Sequence, residues 1–119
     1  TNDMPRPAFY DAYHYISVVG RNSENDYANS ADIGRRKETV SVVGSICENN
    51  DQFGKDRKLP VCEIGDVVVI HNSGGHARAM AHNYNGKLRH AEYLLRSNNE
   101  IVRIRDCETI EDLFKGTNL

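Results

Sequence analysis

The chain has 119 residues, 39% of them hydrophobic and 27% charged, a length and apolar share that fit one domain around one core and exclude overall disorder. Fifteen Lys and Arg stand against 17 Asp and Glu, so neither a nucleic-acid backbone nor an anionic membrane is expected as a partner. No run approaches the ~20 apolar residues that span a bilayer, and the opening TNDMPRPAFY lacks the regions of a signal peptide, so the expectation is a soluble, cytoplasmic protein.

Residues 9–19 (FYDAYHYISVV) are rich in aromatic and β-branched types and follow Pro5-Arg6-Pro7, which predicts a first strand. On a period of two, His14, Ile16 and Val18 share one face and Tyr13, Tyr15 and Ser17 the other. The polar stretch Gly20 to Arg36 predicts a mobile loop. From Thr39 the run TVSVVGSI alternates, with Val40, Val42, Gly44 and Ile46 on one side, as a second strand would; the polar CENNDQFGKDRKLP behind it predicts a long loop. An Ile64-Gly65-Asp66 turn precedes VVVIH, whose continuous β-branched run predicts a buried third strand. The segment HARAMAH (76–82), flanked by Gly74-Gly75 and Asn83, reads as a further strand. Residues 88–95 and 100–106 flank Ser97-Asn98-Asn99, and Asn tolerates the positive φ of a tight hairpin. Thr109 as N-cap, Glu111 and Asp112 in the first turn and Gly116 at the end mark one short helix, with Ile110, Leu113 and Phe114 expected on an inner face. The sum is an all-β fold, a Greek-key-like antiparallel barrel or sandwich with one short C-terminal helix, and residues 1–119 form a single domain.

Little chemistry follows from spacing alone. Cys47, Cys62 and Cys107 form no Cys-x-x-Cys, and the five histidines form no His-Glu-x-x-His, so no metal is expected. Ser73-Gly74-Gly75 is followed by His-Ala-Arg, not by the Gly-Lys-Ser of a phosphate loop.

Two segments are more specific. Arg6-Pro7-Ala8-Phe9-Tyr10-Asp11-Ala12-Tyr13-His14 and Ser45-Ile46-Cys47-Glu48, with Asp56-Arg57-Lys58-Leu59-Pro60 and Asn83-Tyr84-Asn85 behind them, resemble in order and spacing the C-terminal domain of diaminopimelate decarboxylase. The resemblance runs from Arg6 to the tail Glu108-Thr109 and Asp112-Leu113-Phe114. It implies an enzyme in two parts: an N-terminal (β/α)8 barrel that binds pyridoxal 5'-phosphate through a lysine, and this C-terminal β-domain, residues 1–119, which completes the site. The barrel is the missing partner. None of Lys37, Lys55, Lys58, Lys87 or Lys115 sits in a segment like that of the cofactor lysine, so this chain is expected to be inactive alone. The resemblance further implies a homodimer with shared active sites, the Cys-Glu loop entering the neighbouring subunit.

The same resemblance assigns roles. After carbon dioxide leaves, a proton must reach the substrate α-carbon, and Cys47 is the implied donor; thiols, with an ordinary pKa of about 8.5, still hold their proton at neutral pH. Glu48 is implied to bind the distal ammonium of the amino-acid substrate. Arg6 offers a planar fork for the distal carboxylate, and Tyr10 adds a hydroxyl. Where many relatives carry Gly-Ala-Tyr, with the tyrosine touching the cofactor, this chain has Gly74-Gly75-His76; His76 takes the cofactor-binding place, with Tyr84 as a fallback. Cys62 and Cys107 read as buried and inert. The implied reaction is conversion of meso-2,6-diaminopimelate to L-lysine and carbon dioxide in lysine biosynthesis. Two alternatives stay open: a decarboxylase of another basic amino acid or carboxylated polyamine (ornithine, arginine, carboxynorspermidine), and a non-catalytic β-barrel binding or assembly module.

Overall fold

A computed structural model describes residues 3–21, 27–29 and 34–118, the middle stretch by its backbone alone. The elements run α1 (Arg6–Tyr10), β1 (Ile16–Arg21), β2 (Tyr27–Asn29), β3 (Lys37–Val43), β4 (Gln52–Pro60), β5 (Val67–Ile70), α2 (Ala77–Met80), a 3-10 turn (Tyr84–Gly86), β6 (Glu92–Leu95), β7 (Ile101–Arg105) and α3 (Ile110–Leu113). Every strand pair is antiparallel. The described ladders form three small sheets, β2-β1-β5, β3-β4 and β6-β7. The all-β architecture with a short C-terminal helix is therefore present.

The core is where β1 crosses the β3-β4 ribbon. Ile16, Val18 and Leu59 are buried, and Val40, Val42, Phe53 and Ile70 pack against them. On β1 burial alternates as a half-buried strand requires, with Ile16, Val18 and Gly20 inward. His14, on the expected inward face, is buried with Nδ1 2.9 Å from the carbonyl oxygen of His71. On β3, Val40 and Val42 do face inward as their alternation predicts. A carboxylate clasp joins β1 to the turn before β5: Asp66 accepts from the backbone N–H of Arg21 at 3.0 Å and of Glu63 at 2.8 Å and from the Arg35 guanidinium. The Arg35 hydrogen bond, with those amides, lowers the Asp66 pKa to about 2.

Several local expectations are corrected. Residues 6–10 are helical, so the first strand starts at Ile16; Pro7 sits in the first turn, where its missing N–H costs nothing, and Asp11 closes the helix in the left-handed region at φ 50°. The tract expected to be a loop from Cys47 to Pro60 contains the nine-residue strand β4, because pairing with β3 overrides its polar composition. The third strand is not buried: β5 is at an edge of its sheet, with Val67 and Val68 exposed. Residues 77–80 form the helical turn α2, not a strand, in keeping with their Ala and Met content. Helix α3 forms with the capping box of Thr109 and Asp112, but Ile110 is 64% and Phe114 52% exposed, so neither lies on the expected inner face. Cys62 and Cys107 are exposed, not buried. Within the expected loop at 20–36, Tyr27–Asn29 pair with β1 as β2; residues 22–26 and 30–33 lie outside the described residues.

The expectation of a hairpin at the C-terminal end is met. The hairpin β6-β7 turns where the asparagines are, with Asn99 at φ 63° and the Arg96 N–H donating to the Glu100 carbonyl at 2.9 Å. The open end of the hairpin is anchored by Glu108, which accepts from the Arg89 guanidinium, the Arg89 N–H at 2.8 Å and Asn83 Nδ2 at 2.6 Å.

Candidate functional site

Three segments distant in sequence converge on one cavity of about 230 Å3: Ala8 and Phe9 of α1, Ile46 and Glu48 of the β3-β4 connector, and His82 and Tyr84 before and within the 3-10 turn. The connector is built by its own chain. The Gly44 N–H donates to the Asp51 carbonyl at 2.7 Å, the Asp51 N–H to the Glu48 carbonyl at 2.9 Å, and the Ile46 N–H to Asp51 Oδ2 at 2.9 Å. This internal bonding satisfies backbone groups that a projecting loop would otherwise leave to water. Cys47 and Glu48 are thereby held at its exposed tip.

The thiol of Cys47 lies 3.8 Å from the side-chain amide of Asn85, which donates to it. Glu48 accepts through Oε1 from both the backbone N–H (3.1 Å) and the side-chain amide (2.9 Å) of Asn50, an arrangement that fixes one carboxylate oxygen and leaves Oε2 for other contacts. On the other side of α1, Arg6 Nη1 is 3.5 Å from His76 Nδ1, at the N-cap of α2. Tyr10 is 66% exposed and meets Phe9 edge to face at 6.2 Å between ring centroids.

The structure therefore brings Arg6 to His76 and sets Glu48 in one cavity with Tyr84. Among the described residues no hydrogen bond joins Arg6 or Tyr10 to Glu48 or Cys47. Asn85 and Asp51 were missed by reading the sequence as candidates; the one signal for Asn85 was its place in the Asn-Tyr-Asn motif, and Asp51 had none beyond lying in a polar tract. Among the described residues no group of three or more His, Cys, Asp and Glu side chains is placed to hold a metal ion, and no helix is long and apolar enough to cross a membrane.

The residues around this cavity supply at most one wall of a pyridoxal-phosphate site. No lysine lines the cavity of Glu48 and Tyr84. A Cβ on Gly74 or Gly75 would meet nothing within 4 Å, so that glycine pair encloses no cradle.

The fold and site together define an accessory sheet domain that presents a Cys-Glu connector outward. Residues 1–74 match the family model described as pyridoxal-dependent decarboxylase, C-terminal sheet domain, and the chain belongs to that family. It is 39% identical over 113 residues to the diaminopimelate decarboxylase of Methanocaldococcus jannaschii, covering 95% of this chain and 23% of that protein. It is 43% identical over 110 residues to the diaminopimelate decarboxylase of Neisseria meningitidis serogroup A, covering 92% and 24%, and 40% identical over 109 residues to Protein TabA of Pseudomonas amygdali pv. tabaci, covering 92% and 23%. The crystal structure of the M. jannaschii enzyme in co-complex with L-lysine superposes with a TM-score of 0.79 at 36% identity, covering 99% of this chain and 24% of that one. The chain thus spans about a quarter of the length of these relatives.

Proposed function

We propose that this chain is the C-terminal domain of a pyridoxal-phosphate-dependent decarboxylase that converts meso-2,6-diaminopimelate to L-lysine and carbon dioxide. The observation that carries the reading is the exposed Cys47-Glu48 pair, held on an internally bonded connector beside Asn85. When bound, the cofactor supplies the electron sink that lets the carboxylate leave. The residues here do the rest of one face: the Cys47 thiol returns a proton to the α-carbon, and Asn85, donating to the sulfur, orients it. Glu48, with Oε1 anchored on Asn50, turns Oε2 toward the distal ammonium of the substrate. The Arg6 fork takes the distal carboxylate with Tyr10 beside it, and His76, in contact with Arg6, lines the cofactor edge.

That the chain covers about a quarter of its relatives supports a further domain in the full-length protein. A (β/α)8 barrel elsewhere in the full-length protein holds the cofactor lysine and phosphate. Two subunits pair so that each Cys47 connector enters the other's site, in the cytoplasm where the amino-acid substrate is made. The test is carbon dioxide release by the full-length protein. Meso-diaminopimelate is expected to be turned over in preference to ornithine, and faster turnover of ornithine would overturn the roles of Arg6 and Glu48.

A further inference from the structure

Asp51 closes the connector that carries Cys47 and Glu48. Its side chain is only 3% exposed, and a buried carboxylate persists only where hydrogen bonds replace its water. One such bond comes from the N–H of Ile46, the residue before Cys47, to Oδ2 at 2.9 Å. The main chain of the same residue accepts from Gly44 at 2.7 Å and donates to Glu48 at 2.9 Å. Asp51 therefore touches the chain before the thiol, at the carboxylate residue and at the base of the connector.

Gly44 supplies the second, independent observation. A Cβ built on Gly44 would overlap the Asp51 carboxylate group, so the absence of a side chain at 44 makes the space that the carboxylate fills. Gly44 is not in the left-handed region, so its need for glycine is this close approach and not its backbone angle.

We propose that Asp51 is a positioning residue for the proton-donor loop: it fixes the Ser45-Ile46 peptide, one unit before Cys47, and so sets where the thiol and the Glu48 carboxylate point, with Gly44 as its obligatory steric partner. The inference rests on the proposed decarboxylase reading for its kinetic consequence and on geometry alone for its structural one. Misplacing a reacting group by about 1 Å costs on the order of a hundredfold.

The experiment uses the full-length protein carrying Asp51→Ala, Asp51→Asn, Gly44→Ala and the Gly44→Ala/Asp51→Ala pair, each checked for cofactor absorbance. Asp51→Ala is expected to lower kcat for meso-diaminopimelate by at least about tenfold. Asp51→Asn keeps an acceptor oxygen for the Ile46 N–H and is expected to stay within about threefold of the parent. Gly44→Ala alone should mimic Asp51→Ala, and adding it to Asp51→Ala should change kcat less than about twofold, since the overlap is then gone. Amide exchange at Ile46 should accelerate in Asp51→Ala and not in Asp51→Asn, whatever the enzyme's substrate. An Asp51→Ala protein with kcat within about twofold of the parent, multiplicative losses in the double variant, or unchanged Ile46 exchange would overturn the proposal. Should Asp51→Ala fail to fold, Asp51→Asn and Gly44→Ala still decide it. Should the parent release no carbon dioxide from meso-diaminopimelate, the decarboxylase reading fails, and exchange at Ile46 still decides the role of Asp51.

Discussion

Cys47 is the residue on which the proposed chemistry turns. It is exposed at the tip of a turn, within reach of the Asn85 amide. Replacing it by Ala in the full-length protein is expected to reduce turnover by about a hundredfold or more, the usual weight of a positioned acid, with cofactor absorbance unchanged. Unchanged turnover would remove it as the donor. Arg6 makes a different prediction, because in the proposed reading its charge recognises the far end of the substrate and so acts on binding: Arg6→Lys keeps the charge and loses the planar fork, so KM for meso-diaminopimelate should rise by about tenfold while kcat changes little. Both residues stand out in the sequence as candidates because each sits in a short motif of specific chemistry. Asp51 was not, because its burial comes from the register that sets Val43 opposite Gln52, which no local pattern encodes. The proximity of Arg6 to His76, 70 positions apart, is likewise a product of tertiary packing.

At the scale of elements, the ionic anchor between the end of β7 and the segment before β6 sets a pH dependence. Arg89 hydrogen bonding, with the Asn83 amide, lowers the Glu108 pKa from 4.5 to about 2. A carboxylate depressed on folding adds stability above its ordinary pKa and loses it as pH falls toward the folded value. Glu108→Gln should therefore destabilise the protein at pH 6, and the gap in denaturant midpoint between it and the parent should shrink as pH falls from about 4.5 toward 2. A gap independent of pH would show that the charge is not what Glu108 contributes. The capping box of α3 predicts a loss of about 1 kcal/mol for Thr109→Ala, read as a shift of the same midpoint. The hairpin and this helix were legible because their signals are local, asparagines at the turn and Thr109 with Asp112 at the cap. The strand β4 was illegible because Lys55, Asp56 and Lys58 face outward on a ribbon that is held by backbone pairing with β3. At α1, Pro7 suits a first helical turn as well as an extended chain, and only the left-handed stop at Asp11 distinguishes them.

For the whole molecule, the radius of gyration of 16.2 Å exceeds the about 13.5 Å of a compact globule of 119 residues. The excess goes with exposed apolar surface: Leu94, Leu95, Ile101, Ile104 and Phe114 at the β6-β7-α3 end are all solvent-facing. Exposed large apolar side chains gathered at one end of a fold mark an interaction site when they adjoin. The isolated chain is expected to self-associate with rising concentration in sedimentation and to bind a hydrophobic dye, and the full-length protein to do neither at the same concentration. A monodisperse, dye-free isolated chain would mean that this end is stable in water.

The internal bonding of the β3-β4 connector has a consequence for engineering. Because residues 44–51 are closed by bonds from Gly44, Ile46 and Asp51 within the same eight-residue stretch, the turn is a transplantable cassette. Exchanging residues 47–50 between homologous decarboxylases, with Gly44 and Asp51 retained as its hinge pins, offers a route to retune which amino acid is accepted without redesigning either flanking strand.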